Sequence, residues 1–189
     1  MKEYEGVPLR GPRALQLDEN RSLFFTDAGP DGDTGLHNRS GSVFVIQGEG
    51  AARLLRPLAL RCLAMPTGLA LLPSKISGTC AFVCETAENR LLRYTQRPAG
   101  VWHGSVFFTF TGRLGPVAVV ADEARSLLYV ARPDVTGMRG IVSVLSLSGE
   151  LLKNFETPGA DVSAISLHPD GSRLLLADAT TNIVYSIVL

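Results

Sequence analysis

Histidine and carboxylate side chains are the groups of this sequence that could bind a metal ion or act as acid and base. The three histidines, His37, His103 and His168, lie far apart without paired spacing, so they predict no zinc site. The stretch "DGDTG" at 31–35 lacks the third oxygen ligand and the distant glutamate of an EF-hand. We interpret it as a turn-rich loop.

Motifs for covalent catalysis and phosphate binding are absent from the sequence. No nucleophile-elbow motif is present, although this leaves a Ser-His-Asp arrangement open. The pairs "GRLG" (112–115) and "GMRG" (137–140) precede no helix, so they predict no phosphate cradle. The stretch "HPDGS" (168–172) is typical of a β-turn.

The composition limits the partners and the compartment. Eighteen Lys and Arg balance eighteen Asp and Glu, so no net field attracts nucleic acid or an anionic membrane. No apolar run approaches the roughly 18 residues of a membrane span, and residues 1–13 lack the apolar core of a signal peptide. Three cysteines argue against a disulfide framework. We therefore expect a cytoplasmic protein without nucleic-acid or membrane partners.

One pattern recurs along the chain, at 11–29, 65–94, 115–135 and 161–189. Each copy begins with a strand of alternating apolar residues, followed by a polar turn. A second, nearly continuous apolar strand comes next, and its last residue is polar. These polar tips are Asp27, Glu85, Arg132 and Asp178. Their spacings of 58, 47 and 46 residues, with several short strands in each unit, are typical of a β-propeller.

The polar stretch "ETAENR" (85–90) lies between two apolar runs. It predicts an antiparallel hairpin over 81–94, with Glu85–Asn89 at the turn and no helix. We expect Glu85 and Arg90 to form a surface ion pair across that turn, which would contribute little to stability.

Further strands complete the repeat. Third strands are expected at 41–46, 90–94, 140–147 and 182–189, and fourth strands at 51–55, 105–110 and 151–155. The segment "KEYEGVPLRGPRAL" (2–15) has the form of "KNFETPGADVSAI" (153–165) with one inserted residue, so Lys2–Glu5 is interpreted as an outermost strand. The sequence thus predicts one all-β propeller domain over 1–189. Its four-stranded antiparallel blades lie at about 11–55, 65–110, 115–155, and 161–189 plus 1–5.

Several of these stretches resemble the superfamily of gluconolactonase, regucalcin (senescence marker protein) and strictosidine-synthase-like propellers. "LFFTDAGPDG" with "GSVFVI", "MPTGLALLP", and "VFFTFTGRLGPVAVV" with "LLYVAR" resemble successive gluconolactonase-type blades. "FVCETAENRLLRY" resembles the strictosidine-synthase-like hairpin. The resemblance covers most of residues 11–132.

The resemblance implies a six-bladed propeller, whereas this chain supplies sixteen strands, or four blades. An incomplete, truncated six-bladed architecture is favoured. The alternatives are completion by another copy or partner, and a closed four-bladed ring in which Lys2–Glu5 pairs beside Asn182–Val188. An open arc would expose the apolar flanks of its end blades, so we expect self-association or a protein partner.

The resemblance also implies where a calcium ion would bind, namely to side chains just after the proline that starts each innermost strand. The residues at these positions are Arg13, Thr67, Val117 and Ser163. None is a carboxylate or an amide, and Arg13 is a permanent cation that opposes a bound metal. We therefore predict that the metal site is eroded and that no cofactor is bound.

Two functions follow from the resemblance. The favoured one is a degenerate, non-catalytic propeller that presents loops 28–41 and 132–140 to a partner as a binding or scaffold module. The alternative is a calcium-dependent lactone or ester hydrolase of the gluconolactonase type, in which calcium polarises the carbonyl. In that case Asp27 and Glu85 are the candidate catalytic residues. A strictosidine-synthase-type condensing activity is a third hypothesis, based on the hairpin alone.

Overall fold

Four antiparallel β-sheets follow one another along the chain, each meandering outward from an innermost strand. The computed structural model describes residues 2–74, 78–97, 100–113, 115–134 and 136–189. Part of the polar turn in the second copy of the repeat (73–78), part of "GRLG" and part of loop 132–140 therefore lie outside the described residues. No helix among the described residues is long and apolar enough to span a membrane.

The strands are grouped into a leading hairpin and four blades. The hairpin consists of β1 (Glu3–Tyr4) and β2 (Val7–Pro8). Blade 1 contains β3 (Pro12–Leu17), β4 (Leu23–Asp27), β5 (Gly41–Gln47) and β6 (Leu54–Leu63). Blade 2 contains β7 (Pro66–Ser74), β8 (Gly78–Glu85), β9 (Arg90–Gln96) and β10 (Trp102–Thr109). Blade 3 contains β11 (Ala118–Asp122), β12 (Leu127–Arg132), β13 (Ile141–Ser146) and β14 (Leu151–Glu156), and blade 4 contains β15 (Val162–Leu167), β16 (Arg173–Asp178) and β17 (Ile183–Val188).

The innermost strands of the blades lie side by side around one axis. Strand β7 packs between β3 and β11, and β11 packs against β15. Among the described residues β3 and β15, at the two ends, make no extended contact with each other, so the four blades form an open arc. The predicted propeller of antiparallel blades is confirmed, with an incomplete ring.

Apolar clusters fill the spaces between neighbouring blades, because the middle strands carry apolar residues on both faces. Phe24 and Val83 belong to the cluster between blades 1 and 2. Leu91 and Leu128 belong to the cluster between blades 2 and 3, and Val142 and Leu176 to the one between blades 3 and 4. Each blade therefore depends on its neighbour for burial of its faces.

The leading segment, Lys2–Glu5, does not pair with blade 4, so the closed-ring alternative is not observed. Glu3 pairs with Pro8 and Tyr4 with Val7, around a turn in which Glu5 (φ 50°) and Gly6 (φ 76°) both have positive φ. Such a turn suits the twist of a two-residue hairpin. Since this hairpin joins directly to β3, at the opposite end of the arc from β17, blade 4 contains three strands.

Two local expectations are corrected by the structure. The fourth strand of blade 1 runs over Leu54–Leu63 rather than 51–55, because Gly50–Ala52 form a short 3-10 turn. The hairpin over 81–94 is confirmed, with Glu85 opposite Arg90. Its turn, however, contains a 3-10 turn at Thr86–Glu88, which ends at Asn89 in the left-handed conformation (φ 54°).

Candidate functional site

A cavity of about 530 Å³ lies on the axis, where the innermost strands begin. It is lined by all four residues at which the resemblance implied metal ligands. These residues are Arg13, Thr67, Val117 and Ser163. The convergence predicted for these positions is therefore observed in the structure. Most of the other lining residues have apolar side chains, as at Leu69, Val119 and Ile165.

Arg13 is paired at the mouth of this cavity. Its guanidinium forms an ion pair with Asp31, which is supplied by the loop after β4. The side chain of Asp31 is 75% exposed and that of Arg13 is 34% exposed. Such a pair is screened by water and contributes little stability. Among the described residues, Asp31 is the one residue of loop 31–35 that lines the cavity. The ion pair therefore places a fixed cation, Arg13, beside it.

Thr67 takes part in a relay of hydroxyl groups that joins three blades. The Thr26 hydroxyl accepts a hydrogen bond from the Ala14 amide (3.1 Å) and donates one to the Thr67 carbonyl (2.7 Å). The Thr86 hydroxyl lies 2.7 Å from the Thr67 hydroxyl and donates to the Pro116 carbonyl (2.7 Å). Because Thr86 has one hydroxyl proton, Thr67 must be the donor between the two. The Thr67 proton is therefore used within blade 2, while the Thr26 and Thr86 protons make the contacts to the neighbouring blades.

The other two positions offer no charged ligand to a cation. The Ser163 hydroxyl donates to the Ala177 carbonyl (3.2 Å), and Val117 has no polar side-chain atom. Asp161 lines the cavity too, and its carboxylate accepts a hydrogen bond from the Thr180 hydroxyl (3.2 Å). Within the part of the chain that the structure describes, no three His, Cys, Asp or Glu side chains are grouped so as to hold a metal ion.

The candidate catalytic acids Asp27 and Glu85 are both buried and do not line the axial cavity. The Asp27 carboxylate accepts hydrogen bonds from the backbone amides of Gly11 (2.7 Å) and Arg10 (3.1 Å). These amides belong to the segment that leads into the innermost strand of the same blade. Asp27 therefore fixes that segment to the end of β4.

The Glu85 carboxylate serves the same purpose in blade 2. One oxygen accepts a hydrogen bond from the Ala64 amide (2.7 Å), which precedes β7, and the other accepts one from Arg90 Nε (2.6 Å). The predicted ion pair with Arg90 is thus present, but it is not a surface pair, because Glu85 is fully buried. The alternating apolar pattern of the sequence did not predict that Glu85 is buried.

Asp178 repeats this brace in blade 4. Its carboxylate accepts hydrogen bonds from the amides of Asp161 and Thr181, each at 2.8 Å. Burial acts to raise the pKa of Asp178, but the hydrogen bonds from Thr181, Asp161 and Thr180 outweigh burial and hold this pKa below its ordinary value. The charged carboxylate is the form that these donors stabilise.

Blade 3 has the opposite charge at the equivalent position. Arg132 donates hydrogen bonds to the Thr111 carbonyl (2.9 Å) and the Ser143 hydroxyl (3.2 Å), and its guanidinium lies 4.9 Å from the centre of the Phe110 ring. Burial lowers the pKa of Arg132. In blades 1, 2 and 4 the residue at this position accepts a hydrogen bond from a backbone amide. In blade 3 the partner is a backbone carbonyl, so Arg132 acts as the donor.

The remaining candidate groups do not come together. His37 lies in a loop of blade 1, His103 on β10 of blade 2, and His168 after β15 of blade 4, where its Nδ1 is 2.8 Å from Asp170. Of the three cysteines Cys84 alone is fully buried, and burial raises the pKa of its thiol. A neutral, inaccessible thiol of this kind is unsuited to nucleophilic attack.

These blades and their axial cavity define the chain as part of a β-propeller. No family model and no curated protein matches it. Solved structures that resemble it include gluconolactonase- and regucalcin-type propellers, which confirms that part of the resemblance seen in the sequence.

Three of these structures are similar over nearly the whole chain. A structural-genomics target provisionally assigned as a gluconolactonase is 26% identical, with a TM-score of 0.75 over 99% of this chain and 61% of its own. A gluconolactonase from Xanthomonas campestris is 23% identical, with a TM-score of 0.76 over 100% of this chain and 60% of its own. A calcium-binding protein, regucalcin, from Agrobacterium tumefaciens is 22% identical, with a TM-score of 0.72 over 93% of this chain and 60% of its own. The chain thus spans about three fifths of the length of these structures.

Proposed function

We propose that this chain is a degenerate gluconolactonase-like propeller that acts as a non-catalytic binding or scaffold module. The observation that carries this proposal is the set of residues facing the axial cavity where the innermost strands begin. Arg13, Thr67, Val117 and Ser163 comprise one cation, two uncharged hydroxyls and one apolar side chain. Loops 28–41 and 132–140 are the surfaces offered to a partner.

Calcium fits this cavity poorly. The ion takes six to eight oxygen ligands, with carboxylates the strongest of them. Asp31 is one carboxylate on the cavity wall, and it is paired with Arg13. A second carboxylate, Asp161, lies on the wall, so the charged lining residues together carry one net negative charge, fewer than a tight calcium site needs.

The alternative function is a calcium-dependent lactone or ester hydrolase, and the likeness to a solved gluconolactonase favours it. This activity would require Asp27 or Glu85 to act on a bound substrate. Their carboxylates instead accept backbone amides and Arg90 inside the blades. We therefore rank the hydrolase second. Three free cysteines, one of them exposed, are consistent with the reducing cytoplasm that we propose as the compartment.

Calcium titration by calorimetry tests the proposal, together with hydrolysis of glucono-δ-lactone with and without calcium. We expect no calcium binding tighter than about 10⁻⁴ M, the weak end of protein sites, and no calcium-dependent hydrolysis. Arg13→Glu should strengthen calcium binding, because it replaces the cation with a third carboxylate. Arg53→Glu makes the same charge change at an exposed position away from the cavity and serves as control. A stoichiometric micromolar site in the unaltered chain, lost in Asp27→Asn or Glu85→Gln, would overturn the proposal.

A further inference from the structure

A smaller cavity, of about 220 Å³, lies in blade 1 at the end of β4. Its wall is formed by residues of segment 4–10, by the end of β4 and by the facing ends of β5 and β6. The polar residues of the wall include Arg10, Asp27, Ser40, Ser42 and Arg61, so the wall carries one net positive charge. None of these residues lines the axial cavity, and the inference drawn from them does not depend on what the axial cavity binds.

Blade 2 shows what occupies the equivalent space. In both blades a buried carboxylate ends the second strand, and a residue of the third strand lies opposite it. In blade 2 that residue is Arg90, whose guanidinium binds the Glu85 carboxylate. In blade 1 it is Ser42, and its side chain is too short to fill the same space. A cavity therefore remains beside Asp27.

The two arginines of the wall are not paired with its carboxylate. Each oxygen of Asp27 instead accepts a backbone amide, from Gly11 at 2.7 Å and from Arg10 at 3.1 Å. The segment that enters β3 is also fixed by the Gly29 amide, which donates to the Gly11 carbonyl (3.1 Å). Among the described residues, the guanidiniums of Arg10 and Arg61 form no ion pair. Two positive charges therefore remain for a ligand, on a backbone that is already held in place.

The two serine hydroxyls of the wall also have protons to donate. The Oγ atom of Ser40 is buried and has no hydrogen-bond partner among the described residues. Ser42 is 2% exposed, and its Oγ accepts a hydrogen bond from the Arg61 amide (2.9 Å), which leaves the hydroxyl proton unused. Burying a hydroxyl without a partner costs free energy. An acceptor oxygen inside the cavity would satisfy both groups.

An irregular part of β6 places Arg61 at this cavity. Gly41 pairs with Leu63 and Val43 with Ala59, so three residues of β6, 60–62, lie opposite Ser42 alone. Arg61 is the middle residue of this bulge and has a φ of 50°, a conformation that residues other than glycine rarely adopt. Bulges commonly redirect a side chain towards a site. The Ser42 hydroxyl holds this one in place by accepting the Arg61 amide.

We propose that this cavity binds a phosphate group, with the two arginines and the two serine hydroxyls of its wall as donors. Guanidinium groups form strong, charge-assisted hydrogen bonds to phosphate oxygens. Donors from four separate positions suit a tetrahedral ligand better than a planar carboxylate. The two guanidiniums outnumber the single charge of Asp27, which keeps its own amide donors. The cavity is smaller than the roughly 300–1,000 Å³ of most ligand pockets, so the group belongs to inorganic phosphate or to a small phosphate ester.

Calorimetric titration at constant low ionic strength measures the binding, with sodium phosphate and glycerol 3-phosphate as separate probes. We expect one site per chain with a Kd of about 1 mM or tighter, and the tighter of the two probes identifies the free anion or the ester as the ligand. Arg10→Gln and Arg61→Gln, both at exposed residues, should each weaken binding about tenfold or more. Arg173→Gln removes an exposed arginine from blade 4 and serves as the matched control. Acetate that binds as tightly as phosphate would overturn the proposal.

Ser40→Ala separates phosphate binding from folding. Because the Ser40 hydroxyl has no partner among the described residues, its removal should leave the Tm without phosphate unchanged or slightly higher. The same change should reduce the rise in Tm that phosphate produces. Phosphate also stabilises proteins by exclusion from their surface, so the measure is the difference from the unaltered chain, with Ser166→Ala, exposed on blade 4, as the control. No binding of either probe, or binding unaffected by both arginine substitutions, would overturn the proposal.

Discussion

Replacing Glu85 with alanine is expected to destabilise the propeller strongly while leaving its surface unchanged. The fully buried carboxylate accepts hydrogen bonds from the Ala64 amide and from Arg90 Nε, at 2.7 and 2.6 Å. Without it the Ala64 amide has lost its acceptor inside the blade, and the Arg90 guanidinium has lost its counter-charge. Both losses occur where the chain passes from blade 1 into blade 2.

The magnitude follows from these two contacts. Each hydrogen bond to a charged group contributes about 1.5–3 kcal/mol. The side chain of Arg90 is 28% exposed, so water recovers part of its loss, and we expect about 3 kcal/mol in total. For a domain of this size that corresponds to a fall in Tm of roughly 6–12 °C. Glu85→Gln keeps an acceptor for the amide, and about half of the loss is expected.

Urea unfolding followed by tryptophan fluorescence measures this change. Trp102, the one tryptophan of the chain, packs edge-on against Phe24 between blades 1 and 2 and reports on this region. Glu123→Ala, at an exposed turn, is the matched control. If Glu85→Ala stays within about 0.5 kcal/mol of the unaltered chain, the structural role argued for this carboxylate is wrong. If Glu85→Ala keeps its stability and abolishes a hydrolytic activity, the alternative that Glu85 is a catalytic residue gains support.

Two further predictions concern the other tip residues. Arg132→Asp should lower the free energy of unfolding by about 2–4 kcal/mol, because a carboxylate would face the Thr111 carbonyl. Arg132→Lys keeps a donor and should lower it less. Equal losses in urea unfolding would refute the donor role of Arg132. The pKa of Asp178 lies below its ordinary value in the folded state, so its contribution is present above the unfolded pKa and is lost as pH falls below about 4. Asp178→Asn should accordingly make stability less dependent on pH between about 3 and 5, and an unchanged acid limb would contradict this.

The fold could be predicted from the sequence because a propeller repeats one short pattern. The apolar runs, their turns and the spacing of Asp27, Glu85, Arg132 and Asp178 all report local structure, and local structure dominates in a repeat protein. The axial positions of Arg13 and its equivalents were implied by the resemblance to gluconolactonase-type propellers. These features require no knowledge of distant contacts.

The features that were missed depend on contacts that periodicity does not encode. The burial of Glu85 results from the path of Ala64, a residue of the preceding connection. The leading segment has the pattern of an outer strand, but its own turn at Glu5 and Gly6 folds it back first, because that partner is nearest along the chain. Loop 31–35 was recognised as a loop, while its ion pair with Arg13 depends on the arrangement around the axis.

The hydroxyl relay between blades 1 and 3 has a fixed polarity around the axis. Every donor in it points the same way, from the Ala14 amide through Thr26 and from Thr67 through Thr86 to the Pro116 carbonyl. A carbonyl cannot donate, so the order of protons cannot reverse. The Thr67 oxygen therefore has lone pairs, and no proton, left for the axial cavity that it lines. At this point of the wall a bound molecule encounters a hydrogen-bond acceptor, which selects hydroxyl groups over carbonyl and carboxylate oxygens.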